Sequence, residues 1–175
     1  NNDLLITLGG YDANKIIENL CSILPNFLEK IKIKIILGPI TKKPICLTKI
    51  ERKFKNKLKI IGYTTDLRKE IIQSKIGLCS GGVTTYEFAS LKVPFGIICQ
   101  YKHQRITASE WEKIGYGVNL GQNNKESIKK IEEFLNNILE NKINLKMNNI
   151  LINTNGAKKV KNEILKSFKQ ETNKK

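Results

Sequence analysis

The apolar run Ile76-Gly77-Leu78-Cys79 passes through Ser80-Gly81-Gly82-Val83 into Thr84-Thr85-Tyr86-Glu87, and after Val93-Pro94 the chain returns to a second apolar run, Phe95-Gly96-Ile97-Ile98-Cys99. Both runs are continuous rather than alternating, the pattern of strands covered on both faces. The stretch between them, Thr84 to about Leu91, predicts a helix. A strand, a glycine pair, a helix and another strand form a βαβ unit, whose strands lie parallel in one sheet.

The same rhythm extends in both directions. Upstream, Leu4 to Leu8 is a strand-like run, and Asp12 to Leu24 places Ile16, Ile17, Leu20, Ile23 and Leu24 on one helical face. Ile31 to Leu37 predicts the next strand, ended by Gly38-Pro39. Leu58 to Ile61 predicts another, followed by the turn Gly62-Tyr63-Thr64-Thr65 and a helix from Asp66 to about Ser74. Downstream come a helix from about Arg105 to Ile114, a short strand Gly117 to Leu120, and helices from Lys125 to Glu140 and Ala157 to Phe168. The expected fold class is α/β, a doubly wound parallel sheet of Rossmann-like type. One domain over residues 1–169 is expected, with a disordered basic tail at 170–175.

Composition narrows the function classes. The 175 residues suffice for one globular domain with a core of its own, and no apolar run is long enough to span a membrane. The opening Asn1-Asn2-Asp3-Leu4-Leu5 lacks a starting Met and any signal-like pattern, and reads as the end of a cut or processed fragment. Lys plus Arg number 31 against 16 Asp plus Glu, a formal net charge of +15. The lysines are spread along the chain among many Ile and Asn, and are dense only at Lys49–Lys59 and Lys158–Lys175. Neither stretch is interleaved with stacking aromatics, so no nucleic-acid partner is expected. The charge still favours a polyanionic ligand such as a diphosphate. Cys21, Cys46, Cys79 and Cys99 are far apart, with no C-x-x-C pair. They point to a reducing cytoplasm, with no metal and no catalytic thiol.

In doubly wound sheets ligands bind outside the carboxyl ends of the strands, so the strand-following loops carry the functional reading. The first, Leu8-Gly9-Gly10-Tyr11-Asp12, offers glycines for close backbone approach and a helix N-terminus for an anion. A tight turn with Asp12 as N-cap explains the same residues. In the second, Ser80, Gly81, Gly82, Val83 and Thr84 can present N–H groups to a diphosphate, and Glu87, one turn into the helix, can accept from vicinal ribose hydroxyls. Thr84-x-x-Glu87 is equally a capping box that satisfies the helix end without a ligand. Neither loop is a Walker or G-x-G-x-x-G motif. The third, Gln100-Tyr101-Lys102-His103-Gln104-Arg105, gathers donors suited to hydroxyls and phosphate oxygens. His103, the one histidine, also fits a merely solvated side chain.

As an ordered set, Leu5-Ile6-Thr7-Leu8-Gly9-Gly10, then Ser80 through Glu87, then Val93-Pro94 and His103-Gln104, resembles the C-terminal half of GT-B fold glycosyltransferases of the MurG-like group. Asn155-Gly156-Ala157-x-x-Val160 resembles the closing motif of one branch, the UDP-sugar hydrolase of pseudaminic acid biosynthesis (PseG) and the spore-coat polysaccharide family SpsG. The resemblance implies a UDP-sugar site in a nucleotide-sugar hydrolase of surface-glycan biosynthesis. In that family the glutamate matching Glu87 holds the ribose and the loop matching Ser80 to Thr84 binds the diphosphate. The turn matching Tyr63-Thr64-Thr65-Asp66 lies against uracil and the loop matching His103-Gln104 meets the sugar. Gly9 and Gly10 match the loop facing the other domain. Tyr11 departs from the small hydroxyl residue usual after that glycine pair.

The family's catalytic histidine lies on an N-terminal domain, so no catalytic residue is expected in this chain. An N-terminal GT-B domain, in cis or as a partner subunit, is implied. No cofactor is called for, and no metal, there being no Asp-x-Asp motif or carboxylate cluster. Two other readings stay open. One is the donor half or subunit of a UDP-sugar glycosyltransferase, and the other is a non-catalytic basic module that binds anionic polymers.

Overall fold

The computed structural model describes residues 2–140, Lys142, Ile152 and 155–172. The strands are β1 (Asn2–Thr7), β2 (Ile33–Ile36), β3 (Leu58–Ile61), β4 (Ser74–Ser80), β5 (Phe95–Cys99) and β6 (Gly117–Gln122). The helices are α1 (Ile16–Leu20), α2 (Leu24–Leu28), α3 (Ile45–Lys53), α4 (Leu67–Ile72), α5 (Thr84–Ser90), α6 (Gln104–Lys113), α7 (Lys125–Leu139) and α8 (Gly156–Thr172). The strands form one six-stranded sheet in the order β3-β2-β1-β4-β5-β6, with every pairing parallel. The expected doubly wound α/β fold is present, and strands β3 and β5 lie where the sequence put them, to the residue.

Period-two alternation within each buried strand divides the core into two layers. On one face Leu4, Ile6, Ile33, Ile35 and Leu78 pack with Ile16, Leu24, Leu47 and Phe134, covering that side with α1, α2, α3 and α7. On the other face Leu5, Ile36, Cys79 and Ile97 pack with Ile71, Phe88 and Trp111 of α4, α5 and α6. Lys34 points into this second layer and its ammonium is met by Glu70 of α4, an ion pair that ties α4 to the sheet. A buried lysine needs such a partner, since desolvation otherwise disfavours its charged form.

Three expectations need correction. The single helix foreseen over 12–24 is two short helices, because Pro25 stands in the first turn of α2. Proline lacks the N–H that would bond back into α1, and its ring collides with the preceding turn. Helix α3 was not foreseen: within its Lys-rich sequence only Leu47 and Ile50 are buried, too few apolar positions to stand out. The cysteines are not four free thiols, and the reducing cytoplasm expected from them loses its basis. Cys21, just past α1, and Cys46, in the first turn of α3, form a disulfide, their Cα atoms 6.1 Å apart. A separation of 25 residues carries no local signature, and only the packing of α1 against α3 brings the pair together. Cys79 and Cys99 are buried and free.

Helix α8 runs to Thr172, into the stretch expected as a tail, while residues 173–175 lie outside the described residues. Among the described residues no helix is long and apolar enough to cross a membrane.

Candidate functional site

Strand β1 lies beside β4 in the middle of the sheet. From β1 the chain winds outward to β2 and β3, and from β4 it winds the opposite way to β5 and β6. This reversal opens a crevice between the loops that leave the carboxyl ends of β1 and β4, the place where such sheets take ligands.

Hydrogen bonds from three loops hold the floor of the crevice. The Leu8 carbonyl accepts from Ser80 Oγ at 3.1 Å and from Gln100 Nε2 at 2.8 Å. Gln100 Oε1 accepts the Ala13 N–H at 2.9 Å, and Gln104 Oε1 accepts the Gln100 N–H at 2.8 Å. Between Leu8 and Ala13 the chain turns at Gly9, whose φ of +82° favours glycine. Gly38, in the loop after β2, backs this turn so closely that a Cβ there would stand 2.2 Å from the Gly10 carbonyl oxygen. The N-cap of α1 is Lys15 rather than the expected Asp12, although the Asp12 carboxylate reaches the helix start and accepts from Ile16 N at 2.8 Å and Ile17 N at 2.9 Å. The Asp12 N–H donates to Thr41 Oγ1 at 3.0 Å, which joins the β2 loop to the glycine turn. An open depression of about 500 Å³ lies alongside, lined in part by Tyr11, Asp12, Ile40, Thr41 and Lys43.

The two explanations of the Thr84-to-Glu87 spacing separate here. The N-cap of α5 is Val83, already helical in backbone and making no side-chain cap bond. No capping box forms. Thr84 and Thr85 are buried, with Thr85 Oγ1 donating to the Gly82 carbonyl at 2.7 Å. Among the described residues none accepts from the N–H groups of Gly82, Val83 or Thr84. Val83 is 77% exposed and Glu87 is half-buried, its carboxylate hydrogen-bonded to no described residue. The helix start and its acid therefore both lack a partner among the described residues. Burial, and then the nearby Glu87 carboxylate, push the Cys79 thiol far up, and burial against a weaker opposing pull from Arg105 raises that of Cys99. Both free thiols stay neutral.

The remaining predicted residues lie to either side. Tyr63 is 67% exposed in the turn after β3, and Thr64 Oγ1 accepts the Asp66 N–H at 3.2 Å. Strand β3 is at the sheet edge, but α4 crosses back to pack on β4, on the face that α5 also covers. His103 is exposed at the N-cap of α6, its ring stacked on Tyr101 with centroids 5.6 Å apart. Gln104 is buried, and its side-chain oxygen is engaged by Gln100. The predicted residues thus extend along the carboxyl edge from β3 to β5, four strand spacings or roughly 19 Å. Sequence reasoning passed over Asn14 and Thr41 and read Gln100 only as one donor of a polar loop, because their hydrogen bonds to distant loops leave no local pattern. Among the described residues no three His, Cys, Asp or Glu side chains gather where they could hold one metal ion.

The profile of the glycosyltransferase family 28 C-terminal domain matches residues 4–164. A comparison with curated protein sequences gives no significant match. Among solved structures, a putative UDP-N-acetylglucosamine 2-epimerase from Listeria monocytogenes superposes with a TM-score of 0.61 at 16% identity, covering 99% of this chain and 46% of that one. MurG of Acinetobacter baumannii gives 0.54 at 18% identity, covering 83% and 42%. A GtfA/B complex gives 0.52 at 16% identity, covering 81% and 29%. At such identities the likeness is one of fold, and the chain spans less than half the length of each of these structures. The fold agrees with the expected half of a GT-B architecture, and the profile match over nearly the whole chain makes it a member of the glycosyltransferase family 28 C-terminal domain family.

Proposed function

We propose that the chain is the donor-binding half of a nucleotide-sugar enzyme and takes a UDP-sugar in the crevice between the β1 and β4 loops. The carrying observation is the first turn of α5, where an unpartnered Glu87 carboxylate stands beside N–H groups that no described residue accepts. Glu87 accepts from the ribose hydroxyls, and the Gly82–Thr84 N–H groups meet the diphosphate. Tyr63-Thr64 lies against the uracil, while Gly9, Gly10, His103 and Gln104 border the sugar. When the bond from the anomeric carbon to the diphosphate breaks, charge develops on the departing UDP, and fixed N–H groups stabilise it in place. The group that activates the nucleophile belongs to an N-terminal domain, in cis or on a partner subunit.

Transfer of the sugar to an acceptor is supported by the family itself and by the likeness to MurG. Hydrolysis of the PseG/SpsG type is supported by Asn155-Gly156-Ala157, at the start of α8, whose sequence resembles the closing motif of that branch. Assaying the parent enzyme with a UDP-sugar separates the two, since free sugar released without an acceptor means hydrolysis. The site itself is tested by calorimetric titration with UDP. A charge-assisted contact of the Glu87 kind contributes about 1.5–3 kcal/mol, so Glu87→Gln should weaken UDP about 10- to 100-fold. Unchanged affinity in a folded variant would reject the site.

A further inference from the structure

Gln100 sits just past the end of β5, 4% exposed, and all its polar groups face inward. Its side chain brackets the glycine turn. Nε2 donates to the Leu8 carbonyl at 2.8 Å where the turn begins, and Oε1 accepts the Ala13 N–H at 2.9 Å where it ends. The main chain of Gln100 is held as well: its N–H donates to Gln104 Oε1 at 2.8 Å, and its carbonyl accepts from Asn14 Nδ2. The bracketed residues are Gly9 to Asp12, and the glycines at their head have the freest backbone of any residue. A Cβ on Gly10 would meet nothing within 4 Å, so on its open side the turn has no neighbour to shape it. One amide, donor at one end and acceptor at the other, matches the two chain ends in a way that neither a carboxylate nor an apolar side chain can.

We propose that Gln100 is a positioning residue of the donor site, fixing the Gly9–Asp12 turn in the form that faces the bound nucleotide-sugar. This rests on the UDP-sugar reading above. The chain is titrated with UDP-N-acetylglucosamine, as wild type, Gln100→Met and Gln100→Glu, with amide hydrogen exchange followed in parallel. The Met variant keeps the volume and loses both hydrogen bonds. Its affinity falls about tenfold, the scale of one or two net hydrogen bonds. Exchange at Gly10 to Ala13 accelerates by a similar factor, while the β1 and β4 amides keep their protection.

The Glu variant is the rescue. Ionised at neutral pH, it cannot donate to Leu8. Burial raises its pKa above the ordinary glutamate value of about 4.3, so protonation at mildly acidic pH restores the donor. Its affinity relative to wild type at the same pH then recovers as pH falls, which a general loss of packing would not do. If the Met variant fails to fold, the Glu variant carries the test by itself. Wild-type affinity in the Met variant with unchanged exchange, or a Glu variant with no recovery at low pH, overturns the role of Gln100 alone. A wild type that binds no UDP-N-acetylglucosamine overturns the donor-site reading and this role with it.

Discussion

Gly38 shows how much of the site depends on a residue that touches no ligand. A methyl group there would overlap the Gly10 carbonyl, so the glycine turn must shift or the sheet must open. Gly38→Ala is expected to cost about 1–3 kcal/mol by overpacking and to weaken UDP binding beyond what the stability loss explains. Gly156→Ala, where a Cβ meets nothing within 4 Å, is the control and should leave both unchanged. Paired thermal unfolding and UDP titrations check this. At this scale the sequence disclosed Glu87, because an acid one turn after a glycine pair is visible in the spacing. The spacing did not say whether Glu87 caps its own helix or waits for a ligand, and the uncapped backbone at Val83 decides that. Gln100 was visible as part of a donor-rich loop, but its hold on the glycine turn was not, since its side-chain partners lie 87 and 92 residues away.

Among the elements, those with continuous apolar runs were readable and those shaped by partners were not. β3 and β5 announced their own ends, whereas α3, whose buried side chains are Leu47 and Ile50, emerges only once α1 is there to receive it. The Cys21–Cys46 disulfide joins the same two helices and, through α3, steadies the loop that carries Gly38 and Thr41. Closing a loop of this length is worth about 3 kcal/mol through the entropy of the unfolded chain. Reduction, or the Cys21→Ser variant, should lower the melting temperature by roughly 6–12 °C. A non-reducing peptide map should recover Cys21 with Cys46, and two alkylated thiols there would contradict the pairing.

Acid dependence also belongs to the elements, because Asp3 fastens β1 to its neighbours. Its carboxylate accepts the Lys32 N–H at 2.8 Å and meets Lys75 at 2.7 Å. Burial pushes this carboxyl up, but the Lys32 N–H and the Lys75 ammonium together outweigh that and hold it below its ordinary value. A folded-state pKa below the unfolded one adds stability that is full at neutral pH and is lost as pH falls through the folded value. The stability difference between wild type and Asp3→Asn should therefore stay constant near neutrality and shrink below about pH 4, where aspartate begins to protonate. Urea unfolding across that range measures it.

For the whole molecule, a formal net charge of +15 invites a polyanion reading, and the crevice argues for a small, specific ligand. The two differ in their response to salt. A polyanion that contacts six to ten charges loses about 10³–10⁵ in affinity between about 50 and 200 mM salt, and a diphosphate, with far fewer charges, loses far less. The most direct test of the central claim is an amide chemical-shift titration of the chain with UDP at moderate salt. The account predicts saturable shifts centred on Gly82 to Glu87, with the Tyr63-Thr64 turn and Gly9-Gly10 moving beside them, all displaced to about 10- to 100-fold higher UDP concentration in Glu87→Gln. Shifts confined to the Lys49–Lys59 face, unaffected by Glu87→Gln and abolished by salt, would contradict it.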